Sequence, residues 1–496
     1  MNRSSGIIMH IASLPGNYGI GTFGKEAYNF ADFLKKSGQK FWQILPLGHT
    51  GFADSPYQCF SAFAGNPYFI DLDLLVEDKL LKCSDLENIK FCNNEEKIDY
   101  TLLSKEKMRI LKKAYQNSKN KLESDIYKFS EENEIWLENY CLYMAIKEQF
   151  SFVSWQKWDN EIKNRERDAL EYYKHLLKDE IEYWRFIQYE FFKQWKNLKK
   201  YVNSLGIEII GDIPIYVAED SSDLWANQEI FLLDENKVPL KVAGCPPDAF
   251  SETGQLWGNP IYNWHEIENS DFKWWKDRIR FSLSLYDVIR IDHFRGFESF
   301  WEIPYGDKTA EKGRWVKGPG MKLIKAIKEE LDDVKIIAED LGYITEEVIK
   351  LREESGFPGM KVLQFAFDSD SNNVYLPHNY TENCVAYTGT HDNDTIRGWF
   401  EITGNKESIV YCKKYLGLNK DEGYNWGFIR GTWSSVANLS ICLMQDFLNL
   451  GNNSRINLPS TLGWWTWRLK KDYLTDELAN KIYEMTKTYG RCCSNE

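Results

Sequence analysis

The densest chemistry in this 496-residue chain lies in Val288-Ile289-Arg290-Ile291-Asp292-His293-Phe294-Arg295-Gly296. The stretch opens as an apolar strand with two embedded charges and closes on a carboxylate, a histidine, an arginine and a glycine. The two-residue period of a strand puts Arg290 and Asp292 on one face. A guanidinium beside a carboxylate favours its ionised form, and an ionised carboxylate at a strand end is how a nucleophile is presented. Taken alone, the pair reads as an ordinary buried ion pair, because structural pairs perturb pKa values too. Three other segments shift that reading. Gly211-Asp212, Ala338-Glu339-Asp340 and Gly389-Thr390-His391-Asp392-Asn393-Asp394 each bring acidic side chains to the end of an apolar run of strand length.

The elements that must hold these groups follow from hydrophobic periodicity. Gly6-Ile7-Ile8-Met9-His10-Ile11 is an apolar run of strand length. Phe23, Ala27, Phe30 and Phe33-Leu34 then recur at helical spacing up to Gly38, a residue suited to a helix C-terminus. Phe41-Trp42-Gln43-Ile44-Leu45-Pro46 is the next strand, completing a βαβ unit and implying a parallel sheet. Further strands are expected at 207–214, 287–292, 335–340, 361–365, 384–388 and 439–444, with a helix through Leu323, Ile324, Ile327 and Leu331 and another begun by Thr345. Eight strands mostly separated by helices predict an α/β fold, a (β/α)₈ TIM barrel. A doubly wound sheet is the alternative, weakened by the lack of a Gly-rich phosphate loop after the first strand.

Two insertions interrupt the alternation. Residues 71–200 are rich in Lys and Glu and strongly helical, with Trp184, Ile187, Phe191, Trp195, Leu198 and Val202 on one helix face. Residues 216–286 are rich in Pro, Gly and aromatics and are expected to carry loops that cover the site. The expected division is therefore barrel at 1–70, helical insertion at 71–200, third strand at 201–215, loop-rich insertion at 216–286 and barrel again at 287–496.

Bulk properties narrow the function. With 61 basic and 74 acidic residues the formal net charge is −13, which argues against nucleic acid or an anionic membrane as partner. Aromatic residues make up 15% of the chain and include 19 Trp, enough to stack on a neutral ring-shaped ligand such as a saccharide as well as to fill a core. Ten scattered Cys show no metal-ligand spacing and read as free thiols of a reducing compartment. No run is long enough for a membrane span or a signal peptide, so a cytoplasmic protein is expected, without metal or other cofactor.

In a barrel, active sites sit at the C-terminal ends of the strands, and four acidic strand ends at one rim point to catalysis. If the strand count holds, Asp292 and Glu339 end neighbouring strands about 4.8 Å apart. That is near the ~5–5.5 Å carboxyl separation of retaining glycosidases. Arg290 would hold Asp292 anionic, and Glu339, crowded by that anion, would keep a raised pKa suited to an acid/base.

These motifs resemble those of 4-α-glucanotransferases of the amylomaltase (disproportionating enzyme) family, relatives of the α-amylases. The resemblance runs almost end to end: Ser13-Leu14-Pro15, Ser55-Pro56-Tyr57-Gln58, Gly211-Asp212-Ile213-Pro214, Pro246-Pro247-Asp248-Ala249-Phe250, Gln255-Leu256-Trp257-Gly258-Asn259-Pro260, Arg290 to Gly296, Ala338 to Gly342 and Gly389 to Asp392. It implies transfer of α-1,4-glucan segments (maltooligosaccharides) through a covalent glycosyl intermediate. It further implies Asp292 as nucleophile, Glu339 as general acid/base and Asp392 as the third carboxylate. Tyr57, Asp212, Arg290 and His391 would surround the sugar at the cleavage point, and no trailing β-sandwich is expected. An α-amylase-like hydrolase is the nearest rival, but Asp212-Ile213-Pro214-Ile215-Tyr216 lacks the Asn-His pair that amylases carry after the third strand. A non-catalytic glucan-binding protein is disfavoured by the presence of all three carboxylates.

Other residues carry weaker signals. His293 and His391 flank catalytic carboxylates and are candidate sugar-hydroxyl partners, whereas His10, His49 and His175 read as packing or surface residues. Trp257 lies in a stretch too Gly/Pro-rich for a helix or central strand and, with Phe250, is a candidate stacking surface. Tyr100 resembles a family position tied to a second glucan groove. Near the C-terminus the chain departs from the family pattern, with Ser460 where Gly is expected and Trp464 where Asn is expected. Ser460 would strain a turn needing positive φ. Asn457 still matches and is kept as a sugar contact. The Asp368-Ser369-Asp370 cluster lacks an EF-hand spacing and reads as a loop.

Overall fold

Short, largely buried runs form parallel strands, because such a sheet must be covered by helices on one side and filled by side chains on the other. In a computed structural model of the chain, which describes residues 2–119, 121–247, 251–332 and 334–492, eight of them build one parallel sheet. They are Ser4–Ile8, Phe41–Gln43, Glu208–Pro214, Val288–Asp292, Ile336–Ala338, Gly359–Val362, Cys384–Tyr387 and Leu439–Leu443. Their spatial order follows the sequence, with the eighth strand beside the first. Between the fifth and sixth strands, Ala338 N donates to Pro358 O at 2.9 Å and Met360 N to Asp340 Oδ1 at 2.7 Å, which brings the ring together. The expected (β/α)₈ barrel is the fold. Among the described residues no strand follows Leu439–Leu443, and the last helix, Asp476–Thr488, ties back to the first turn of the barrel through Gln39 Nε2 on Thr486 Oγ1 at 2.9 Å.

Three details differ from the pattern-based expectation. The sixth strand lies at Gly359–Val362, and Leu363–Phe365 leaves the rim as a 3₁₀ turn. Both pieces are apolar, and periodicity alone does not separate a buried strand from a buried turn. Only 3₁₀ turns join the sixth strand to the seventh among the described residues. Asp212 does not end its strand but lies inside it, fully buried and paired in register with Arg290 of the fourth strand. Thr345 does stand at the N-cap of Glu346–Ser355, although its hydroxyl closes no backbone N–H there.

Between the second and third strands the chain is helical, ending in the 27-residue helix Lys178–Ser204, whose Trp184, Ile187, Phe191, Trp195, Leu198 and Val202 are all buried. The excursion after the third strand contributes Lys241–Cys245 and Gln255–Pro260 to a four-stranded antiparallel sheet. Its other two strands, Ser299–Pro304 and Arg314–Lys317, come from beyond the fourth barrel strand, a recruitment that a sequence boundary at 286 does not anticipate. Gln255–Pro260 is the edge strand of that sheet, where a terminal Pro costs no ladder bond. Gly258 takes φ +77° there, a backbone state that favours glycine.

Candidate active site

Arg290 sits in the middle of the fourth strand, and its side chain enters the upper barrel interior. Its Nη1 donates to both oxygens of Asp212, at 2.7 and 2.6 Å, and to Asp292 Oδ1 at 3.1 Å. Its Nε points to the Met360 sulfur at 3.4 Å. Period-2 geometry does place Arg290 and Asp292 on one face, but the stronger claim on the guanidinium comes from Asp212 across the strand pair.

This division corrects the expected electrostatics. Burial pushes the Asp292 carboxyl up to about 6, with Arg290 pulling it down and Asp212 pushing it up again. Arg290 therefore limits the rise without holding Asp292 at an ordinary carboxylate value, because burial outweighs it and Asp212 both shares its charge and repels that of Asp292. Glu339 rises further, to about 7, first through burial, then against Arg290 and with the repulsion of Asp292. Both carboxyls are thus raised by burial, and Glu339 also by the Asp292 charge, so this pair holds a proton more readily than free carboxylates do.

Asp292 and Glu339 are next to each other in register. Ile291 pairs with Ala338, and each carboxyl residue is the following one on its strand. Glu339 is fixed by two backbone donors: His293 N reaches Oε2 at 2.6 Å and Leu341 N reaches Oε1 at 2.8 Å. His293 takes a left-handed conformation, φ 54° and ψ 44°, which turns its peptide N–H toward Glu339. Asp340 faces away and is tied to Met360 N and Arg352.

Across the same rim, the loop after the seventh strand supplies Asp392. Its Oδ2 lies 3.2 Å from His391 Nε2 and its Oδ1 accepts from Asn457 Nδ2 at 2.7 Å. Burial opposes ionisation here, but His391, Asn457 and Arg290 outweigh it and hold Asp392 down at about 2. Burial likewise disfavours the His391 imidazolium, yet Asp392 beside it raises its pKa. The same loop is buttressed by Arg455, which donates to Asp394 Oδ1 and to the Asp392 carbonyl, both at 2.5 Å.

Tyr57 closes the ring. Its hydroxyl donates to Asp212 Oδ2 at 2.8 Å, and its ring stacks on His391 at 5.1 Å with 20° between planes. Trp257 packs edge-on against His293 at 4.7 Å, and its neighbour Asn259 accepts from Gln58 at 3.0 Å. Burial and Arg295 push His293 down to about 3, so the ring is neutral, and its Nε2 is buried with no protein partner. The Tyr100 hydroxyl donates to the Trp465 carbonyl at 2.9 Å, and the Trp465 ring leans on Tyr57 and His391. Phe250 lies outside the described residues.

The structure thus gathers Tyr57, Asp212, Arg290, Asp292, His293, Glu339, His391, Asp392, Trp257 and Asn457 around one barrel mouth, with Tyr100 one residue removed. Asn457 engages Asp392 directly. Ser460 has φ +62°, the strained value that a Gly-like turn demands. Sequence reasoning missed Trp465, Arg455 and the Gln58–Asn259 tie. Trp465 stands in a Trp-rich run where no single ring announces its direction, and Arg455 is an isolated Arg with no local signature. Among the described residues no group of His, Cys, Asp or Glu is arranged to hold a metal ion, and Asp368 and Asp370 accept hydrogen bonds within their own loop.

Comparisons with known proteins point to one family. The family profile described as 4-alpha-glucanotransferase matches residues 9–475. A 4-alpha-glucanotransferase from Clostridium butyricum is 61% identical over 98% of this chain and 100% of its own length. That of Thermus thermophilus is 45% identical over 99% of both chains. Among solved structures, an amylomaltase from Streptococcus agalactiae in complex with acarbose is 46% identical, with a TM-score of 0.96 over 99% of this chain and 100% of that one.

Proposed function

Because the chain belongs to the 4-alpha-glucanotransferase family, we propose that Asp292, Glu339 and Asp392 carry out its glucan transfer. The protein is an enzyme that moves α-1,4-glucan segments from donor to acceptor by the retaining route general to the family. In the first step an Asp292 oxygen bonds to the anomeric carbon as the bond to the leaving glycosidic oxygen breaks. Glu339 gives its proton to that oxygen. In the second step the acceptor hydroxyl returns a proton to Glu339 and displaces Asp292, so two inversions leave the anomeric configuration unchanged. Asp392, kept ionised by His391 and Asn457, grips the sugar hydroxyls and balances the positive charge of the oxocarbenium-like state.

The observation that carries this reading is the adjacency of Asp292 and Glu339 in register, with Glu339 fixed by the His293 and Leu341 N–H groups and both carboxyls raised by burial. Tyr57, Asp212, Arg290, His293 and His391 are the remaining sugar-side groups of the proposal, and acarbose bound to the Streptococcus agalactiae relative marks an α-glucan-like ligand as the class to expect. Water must be excluded for transfer to prevail over hydrolysis. Trp257, packed on the residue that follows the nucleophile, is the proposed cover.

The division of the chain that accompanies this reading is a barrel interrupted by a helical insertion at 71–200 and a covering excursion at 216–286, with Ser299–Lys317 joining the cover. No helix among the described residues is long and apolar enough to cross a membrane. Buried free thiols at Cys141, Cys384, Cys412 and Cys442 fit a reducing, cytoplasmic setting. The acidic charge balance disfavours nucleic acid. The test is glucose release from maltotriose measured beside total reducing ends. Wild type should release glucose with no net gain of reducing ends, and Asp292→Ala should abolish release while remaining folded. A folded Asp292→Ala protein with substantial turnover would remove Asp292 from the nucleophile's role.

A further inference from the structure

The loop that follows Glu339 carries an aromatic side chain that the chemistry above does not use. Tyr343 is 65% exposed, unusual for so large a ring in this chain. It lies roughly parallel to Trp315 of the covering sheet, with centroids 6.2 Å apart and 22° between planes, and Trp315 in turn packs on Trp301 at 5.3 Å. Rings at that spacing leave no room for a sugar between them, so the surface on offer is the outer face and edge of Tyr343.

Arg295 anchors this arrangement. Its guanidinium lies 3.8 Å from the Trp315 ring centroid, its Nη1 donates to the Tyr343 carbonyl, and its Nε is buried without a protein partner. Arg295 follows Asp292 by three residues, and Tyr343 follows Glu339 by four. The loop stays close to the chemistry, because Leu341 N is bonded to Glu339 Oε1. Four residues of extended chain keep Tyr343 within about 14 Å of Glu339.

Position relative to the acid decides which part of the glucan this surface meets. Glu339 addresses the glycosidic oxygen, which belongs to the leaving chain in the first step and to the acceptor in the second. A loop hung on Glu339 therefore borders the acceptor side, whereas Asp392, His391 and Tyr57 stand on the rim across from it. We propose that Tyr343, backed by Trp315 and Arg295, is a stacking surface for acceptor glucans at sugars beyond the one that bonds at the reaction centre. It would make the enzyme prefer longer acceptors, and it rests on the assignment of Glu339 above.

The test uses the full-length protein with α-maltosyl fluoride as fixed donor and, as acceptor, either glucose or a sulfur-linked maltotriose that can accept but cannot itself be cleaved. Tyr343→Ala should raise KM for the sulfur-linked maltotriose roughly three- to tenfold, the size of an aromatic contact. KM for glucose, which occupies only the reacting position, should stay unchanged, as should the rate of fluoride release at saturating glucose. Tyr343→Phe should restore the maltotriose KM, because the ring and not the hydroxyl is invoked. Equal loss for both acceptors would make Tyr343 a support of Glu339, and no loss for either would make it an idle surface ring; both results overturn the proposal. Failure of the assignment beneath it looks different, because a misassigned Glu339 would leave Glu339→Gln active with maltotriose as donor.

Discussion

The peptide N–H of His293 donates to Glu339 Oε2 at 2.6 Å, so the residue that follows the proposed nucleophile holds the proposed acid. The bond exists because His293 is left-handed, at φ 54° and ψ 44°. Non-glycine residues hold that conformation at a cost of about 1–3 kcal/mol, tolerated where the surroundings over-determine it. The two halves of the chemistry are thereby positioned by one strained turn.

That turn is open to substitution by residues with different tolerance for positive φ. Asn adopts the left-handed region far more readily than β-branched residues do. His293→Asn and His293→Val both delete the imidazole, so their difference reports the backbone. The Val variant is expected to be less stable than the Asn variant by about 1–3 kcal/mol and to lose more kcat. Denaturant melts beside initial rates would check this, and equal stability and kcat in the two variants would show that the turn does not position Glu339.

The opposed roles of the two carboxyls predict a bell-shaped pH dependence. Asp292 must be ionised, so activity rises as pH climbs through its raised value of about 6. Glu339 must be protonated for the first step, so activity falls as pH climbs through about 7. The limbs belong to the coupled pair and not to either residue alone. Glu339→Gln should lower turnover of maltotriose by roughly 10²–10⁴. A glycosyl fluoride needs no acid, so this variant should still glycosylate Asp292, lose the alkaline limb of that step and accumulate an adduct visible by mass spectrometry. A label on Asp392 would reverse the assignment.

Arg290 divided between Asp212 and Asp292 makes a prediction with two signs. Removing the Asp212 charge by Asp212→Asn leaves Arg290 to Asp292 and takes away a repulsive neighbour, so the acid limb should move to lower pH by about one unit. Arg290→Met removes the group that pulls Asp292 down, so the acid limb should move up. Each variant also breaks a buried pair, with a stability cost of about 3–5 kcal/mol. The pH–rate profile of kcat/KM separates the two, and shifts of the same sign in both would contradict the shared-charge geometry.

Much of this molecule follows from local pattern. Apolar runs of strand length set the barrel strands, a 3.6-residue stripe from Trp184 to Val202 set the longest helix, and the acidic residues at Asp292, Glu339 and Asp392 fell at or just past strand ends. Strand period and helix period are properties of neighbouring residues, so they can be read before folding. Sequence alone also placed Arg290 on the face of Asp292. It could not rank Asp212 above Asp292 as its partner, because that depends on the register of two strands and a separation of 78 residues. The same holds for Asn457 reaching Asp392 across 65 residues, and for Ser299–Lys317 joining a sheet begun on the other side of the fourth strand. The left-handed turn at His293 is likewise a tertiary outcome, since nothing local favours positive φ at a histidine strongly enough to require it. Composition and period determined what this chain would build and which carboxyls it would present. Long-range register and packing decided which charges meet.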